Sequence, residues 1–304
     1  MTKNIKILTL LPFMAVFLTS LCSCFSLFDS STYEDDDVEN TDSENQSNSN
    51  NSSKKEATIS ETVCFEYNGL KITATELQSG SGLFSSPGLK VNIVNNSSTD
   101  YGIGIEELII NDCMVSSFFT QTVSAGKKAN DTITFSSTDL DNAKIDTIGK
   151  IEIVFYLYHP TEYTRIYTAP ATTINTSAAN SVKNEVSSLG TPIYSQGGIV
   201  IKCLETKDAG LSGGEALFYI ENTSNRNVTV SMNELSINGY MQSQLFVATV
   251  NAGKYTTQVL DIYAATITDN NIKAIENIAF KFHVYDADSY STIFDTPELT
   301  INFK

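Results

Sequence analysis

The chain spells out one pattern twice. Residues 122–127 read TVSAGK and residues 249–254 read TVNAGK, ELIINDCM at 107–114 returns as ELSINGYM at 234–241, and the tract before Pro170 matches the tract before Pro297. The spacing is about 127 residues throughout, so each copy is long enough to enclose a core of its own. The copies occupy residues 61–176 and 190–304, with a polar linker at 177–189.

Inside each copy the apolar residues recur every second position. In the stretch GKIEIVFYLY, Ile151, Ile153, Phe155 and Leu157 point one way, while Glu152, Val154, Tyr156 and Tyr158 point the other. Its counterpart NIAFKFHVY buries Ile278, Phe280, Phe282 and Val284. Similar alternation predicts strands over 70–77, 89–94, 103–110, 115–122, 132–135 and 163–174. Turn-forming tracts such as NNSSTD, SAGK, ENTSNRN and NAGK separate them, with Gly126 and Gly253 expected at positive φ. Residues 137–149 and their mirror 265–277 are expected to form a helical turn crossing between sheets. The fold class is therefore all-β, two tandem antiparallel sandwiches rather than a parallel sheet.

A run of V-x-A-G-K, a polar–apolar strand, D-L, the triplet spacing of Ile145, Ile148 and Ile151, and then a long alternating strand resembles the immunoglobulin-like domains found on lipoproteins of low-GC Gram-positive bacteria. The resemblance covers both copies and implies an immunoglobulin-like sandwich in each. Its motifs are structural and imply no catalytic or ligand-binding residue. The Cys…Trp…Cys framework of antibody domains is missing, since the chain has no tryptophan.

The N-terminus carries an address. Lys3 and Lys6 precede an apolar run over 7–19 that is too short and interrupted for a membrane span, as in an export signal over residues 1–23. Leu21-Cys22-Ser23-Cys24 then resembles the bacterial lipobox, which implies that Cys24 is acylated and becomes the mature N-terminus; Cys22 follows a leucine and fits that pattern less well. An ordinary cleaved signal with accidental cysteines is the alternative. Residues 24–60 hold the lipidated cysteine and an acidic, nearly apolar-free tract expected to be a flexible stalk. From 25 to 60 there are nine acidic and two basic residues, net −7; with +2 in the signal and −16 overall, −11 remains on residues 61–304. Such acidity argues against a nucleic-acid partner, whose phosphates require Lys and Arg. It also keeps the body away from anionic lipid.

Chemistry-bearing residues are sparse. His159 and His283 are expected to be solvated. Cys64, Cys113 and Cys203 have no cysteine counterpart in the other copy; they form either a Cys64–Cys113 bridge with one free thiol or, as preferred here, three buried free thiols. Asp139, Asp141 and Asp146, and Asp286 with Asp288, do not match calcium-loop spacing, so no metal or cofactor is expected. The glycines at 80–82 and 210–214 precede strands rather than helices and read as loop glycines. Asn96-Ser-Ser and Asn222-Thr-Ser are read as turn residues rather than glycan acceptors. The candidate binding residues are Tyr158 and Tyr163, flanking one hairpin, with Tyr285 and Tyr290 flanking its counterpart; a structural cross-strand pair is the competing reading.

The expectation is thus a non-enzymatic, lipid-anchored protein on the extracytoplasmic face of the cell membrane. Its partners would be the membrane, through the anchor, and an envelope protein or extracellular ligand. A structural spacer or accessory subunit is the alternative; a wall-polymer hydrolase or carbohydrate-binding protein has less support.

Overall fold

The computed structural model describes residues 56–80 and 86–303. The signal, Cys24, the stalk and part of the first glycine loop lie outside the described residues.

Both copies are antiparallel sandwiches, built element for element alike. In the first copy, the sheet Thr62–Tyr67, Leu70–Gln78, Gly88–Asn95, Lys128–Thr134 faces a second sheet centred on Tyr101–Ile110 and Lys150–Tyr158. In the second, Thr191–Gln196, Ile199–Asp208, Gly213–Asn222 and Lys254–Tyr263 face a sheet centred on Val228–Ile237 and Asn277–Asp286. The period-two expectation holds at the central strands: Ile151, Ile153, Phe155 and Leu157 are buried, as are Ile278, Phe280, Phe282 and Val284. Two clusters of buried apolar side chains result, one per copy. The crossing segments contain the short helices Ser137–Asn142 and Ala264–Asp269, as their sequences suggested.

Two predicted strands are broken. Residues 115–119 leave the sheet between Cys113–Met114 and Thr120–Val123: the Val115 N–H still donates to the Leu108 carbonyl (2.9 Å), but Ser116 and Ser117 are bonded elsewhere. The Ser116 N–H donates to Asp139 Oδ2 (2.7 Å), its carbonyl accepts from the Ser136 N–H, and Ser117 bridges to Phe135. The 163–174 stretch divides into Arg165–Thr168 and Thr172–Asn175 at Pro170, which has no N–H for the ladder. Both pieces still line the same edge of Lys150–Tyr158. Residues 177–189 are not a bare linker: Val186 is fully buried in the first core, and Lys202 Nζ donates to the Ser187 carbonyl at 2.6 Å.

Asn96 of the first sequon is exposed beside its turn, as expected, but its neighbour Asn95 and Asn222 of the second sequon do more. Asn95 and Asn222, equivalent in the two copies, are fully buried. Asn222 Nδ2 donates to the carbonyls of Arg226 and Val250, both at 2.8 Å, while its Oδ1 accepts from Ser224 N–H (3.0 Å) and Oγ (2.6 Å). Asn95 makes the same four bonds to Thr99, Val123 and Ser97. Each asparagine satisfies its whole hydrogen-bonding capacity inside the fold and ties a strand end to the A-G-K turn opposite.

The copies share one sheet. The edge Cys113–Met114 pairs in parallel with the edge Lys254–Tyr263 at Cys113 and Tyr255, the single parallel pairing among the described residues. Tyr255 N–H donates to the Asp112 carbonyl (3.0 Å), and Asn251 Nδ2 donates to Glu107 Oε2 (2.8 Å). The rings of Tyr219 and Tyr255, 5.3 Å apart, belong to the second copy yet pack in the core of the first beside Cys113. Lys254 Nζ reaches Asp112 Oδ1 and Glu152 Oε1, both at 2.6 Å, and Lys150 Nζ reaches the same two carboxylates at 2.7 and 2.9 Å. Burial alone would raise the pKa of Asp112 and Glu152, but the two ammonium groups outweigh it and hold both carboxyls below their ordinary range.

Candidate functional site

The predicted tyrosines are brought together in pairs, and each pair extends into a row of rings on the outer face of its sheet. Along Lys150–Tyr158, Tyr156 and Tyr158 point outward, opposite Gly104 and Gly102 on the neighbouring strand. The glycines are what let the rings lie flat. A Cβ at Gly102 would sit 2.3 Å from the Tyr158 ring, and one at Gly104 would sit 2.3 Å from the Tyr156 ring. The hairpin then returns Tyr163 onto Tyr158, stacked at 6.1 Å between centroids and 14° between planes. At the far end Arg165 lies 4.3 Å above the Tyr156 ring and pairs with Glu106 at 2.5 Å. The first row therefore runs Tyr163, Tyr158, Tyr156, and ends in a guanidinium held over a ring.

The second copy repeats the row with other end groups. Tyr290 stacks on Tyr285 at 6.3 Å, and Tyr285 lies 5.3 Å from the His283 ring. His283 Nδ1 is 2.6 Å from Asp295 Oδ1. This corrects the reading of His283 as a merely solvated residue; His159 is exposed as expected. Thr229 and Ser231 stand where the first copy has its two glycines, facing Tyr285 and His283.

The tip tyrosines are strained as well as exposed. Tyr163 has φ of 55° and Tyr290 has φ of 58°, in the left-handed region that bulky side chains rarely adopt. Each closes its hairpin with a backbone bond, Tyr163 to the His159 carbonyl (2.7 Å) and Tyr290 to the Asp286 carbonyl (2.9 Å). Glycine or asparagine would satisfy that geometry at lower cost, yet both copies carry a tyrosine that is 78% and 77% exposed respectively.

Sequence reasoning found the four tyrosines but missed Tyr156, Arg165 and the two glycines. The signal was present in G-I-G at 102–104 against Y-L-Y at 156–158, with glycine and tyrosine alternating in matched phase. A second paired feature was also missed: Phe118 and Leu245 occupy the same loop position and are 88% and 86% exposed, while Phe119 and Phe246 beside them are buried.

The remaining candidates are occupied structurally. All three cysteines are free thiols, so the Cys64–Cys113 bridge is not formed; Cys203 is half-buried rather than buried. Burial pushes the Cys64 thiol up to about 11 and Cys113 to about 12, leaving them unreactive. Asp139 caps the backbone at Ser116, and Asp286 accepts from the Asp288 and Ser289 N–H groups of its own turn. Asp141 and Asp146 line an open cavity of about 460 Å³ with Leu77, Leu140 and Ile145. Among the described residues no group of three or more His, Cys, Asp or Glu converges as a metal site, and no helix is long and apolar enough to cross a membrane.

No family model and no curated protein matches the chain. Among solved structures, similarity extends to the YadV chaperone, at 11% identity and a TM-score of 0.22 over 71% of this chain and 92% of that one. A protein of unknown function from Porphyromonas gingivalis W83 is matched at 11% identity and 0.21, over 77% of this chain and 98% of that one. The CsuC–CsuE chaperone–tip adhesion subunit complex of Acinetobacter baumannii is matched at 11% identity and 0.20, over 71% and 92%. Scores this low transfer no property of those proteins to this chain.

Proposed function

We propose that the protein is an extracytoplasmic lipoprotein, anchored through Cys24, whose sandwich domains act as a non-catalytic binding module. The observation that carries the binding role is the pair of tip tyrosines. A bulky residue at positive φ costs about 1–2 kcal/mol, and such strain persists where function uses it. Here both copies retain it at an exposed ring that heads an aromatic row. A row of rings suits a ligand with an apolar face, such as a sugar ring or the aromatic or proline side chains of a partner loop. The acidity of the chain supports the same reading, since a body of net negative charge is repelled by anionic lipid. A spacer role has one observation in its favour: the shared sheet and its charge cluster couple the two copies firmly.

The two roles separate in one experiment. A photo-reactive residue at Thr161, beside the first row, is irradiated in intact cells expressing the full chain. A discrete cross-linked product that disappears in Tyr163→Gly is the expected result, and a cross-linking pattern unchanged by Tyr163→Gly refutes the binding role. Anchoring is tested separately: Cys24→Ser is expected to lose fatty-acid label and membrane partitioning, and continued partitioning without label overturns it.

A further inference from the structure

We propose that copies of this chain associate head to tail, with the Tyr240–Met241 edge of one copy receiving the Lys128–Thr134 edge of another. The internal junction is the template. It joins two different edges, Cys113–Met114 of the first repeat and Lys254–Tyr263 of the second. Because the repeats correspond element for element, each chain carries one further example of each half, Tyr240–Met241 and Lys128–Thr134. Both are terminal in their sheets among the described residues. A contact between unlike edges does not close on itself, so the two unused halves remain for neighbouring molecules.

The side chains at these edges identify the occupant. Cys113 is fully buried by the junction, whereas its counterpart Tyr240 is 48% exposed and the adjacent Met241 is 65% exposed. At the junction a small residue, Cys113, meets two large rings, Tyr219 and Tyr255. At the free edges the chemistry differs: position 240 is an aromatic ring, and the counterparts of the two rings are the polar Asn92 and Lys128. A ring on one end of the chain and an ammonium on the other thus replace the junction's thiol against two rings. Lys128 is exposed, and its ammonium would then approach the Tyr240 ring.

The copy-to-copy contact must be weaker than the internal one. The carboxylates that hold Lys254 at the junction are replaced at the free edge by Gly239 and Ala279, so Lys127 of an incoming copy has no equivalent ion pair. Lysine on the donor edge also discourages indiscriminate strand pairing. Reversible association that needs high local concentration follows, and tethering to a membrane surface would supply such concentration.

Sedimentation velocity of the full chain in mild detergent tests this across micromolar to submillimolar concentrations. Mass should rise with concentration. Met241→Lys, which spoils the receiving edge, and Lys128→Glu, which spoils the donating edge, should each weaken association at least about tenfold in dissociation constant. Their thermal melts should match wild type, because both residues are exposed. An equimolar mixture of the two variants should restore association but stop at dimers, since one intact edge remains on each partner. A wild type monomeric throughout, variants that associate as wild type does, or a mixture that fails to form dimers would each overturn the proposal. A foreign strand as the occupant of Tyr240–Met241 would appear as the first of these outcomes.

Discussion

Replacing Lys254 with methionine tests the physical account of the junction most directly. The substitution keeps much of the side-chain volume and removes one ammonium from a cluster of two lysines and two carboxylates. An exposed ion pair contributes about 0–1 kcal/mol, whereas removing one partner of a fully buried pair costs about 3–5 kcal/mol. Lys254 and Glu152 are near the buried limit, with side chains 15% and 16% exposed; Asp112 is 46% exposed, so solvent screens its share, and Lys150 remains as a counter-charge. A loss of about 2 kcal/mol at neutral pH follows from that intermediate position. The pH dependence isolates the mechanism. Asp112 and Glu152 are held below their ordinary values of 3.8 and 4.5, so the unfolded chain takes up protons first as pH falls. Their contribution is fully present above about pH 5 and is lost as pH falls through the folded-state values. Lys254→Met weakens that depression, so the gap between variant and wild type is widest at neutral pH and narrows below about pH 4. Urea denaturation followed by circular dichroism, at pH 7 and pH 3.5 and equal ionic strength, measures it. A gap under about 0.5 kcal/mol at pH 7, or one of equal size at both pH values, refutes the assignment.

Three further outcomes follow from the same geometry. Asn222→Ala removes a fully buried side chain with four hydrogen bonds and leaves the carbonyls of Arg226 and Val250 without that partner; urea denaturation should register a loss of about 2–4 kcal/mol, and Asn95→Ala a similar one. Gly102→Ala drives a methyl group into the Tyr158 ring, which can swing into solvent, so stability should fall by less than about 1 kcal/mol. Ring nuclear Overhauser contacts between Tyr158 and Tyr163 should nevertheless disappear; persistence of those contacts would show that the glycines do not set the row. Tyr163→Gly relieves the left-handed strain, so thermal denaturation should show stability unchanged or raised by up to about 1 kcal/mol while the cross-link at the row is lost.

The legible part of the sequence was the part that period and duplication encode. Ile151, Ile153, Phe155 and Leu157 alternate in one strand and Ile278, Phe280, Phe282 and Val284 in its copy, and a side-chain period of two has only one assignment when one face must be dry. Gly126 and Gly253 likewise take the expected positive φ, 69° and 73°, in open turns. The break at Pro170 has a local cause, the missing N–H, whereas the break at residues 115–119 depends on which distant groups claim the backbone hydrogen bonds, which a local pattern does not contain. The aromatic rows were half legible for the same reason: Tyr158 and Tyr163 are neighbours in one hairpin, but Gly102 lies on another strand.

The junction shows why a repeat can hide as much as it reveals. Lys127 and Lys254 end the same A-G-K turn, and comparison of the copies assigns both to that turn. Lys127 is exposed, whereas Lys254 bonds two carboxylates across the repeat boundary. Nothing at position 254 itself records the difference; it lies in the acceptors, Asp112 and Glu152, whose counterparts are Gly239 and Ala279. Tyr219 and Tyr255 diverge from Asn92 and Lys128 in the same way, on the other side of the contact. An interface between tandem copies is necessarily asymmetric, because each copy contributes a different edge to it. Its residues are therefore those that differ between copies in correlated pairs, while the shared residues build the core and turns.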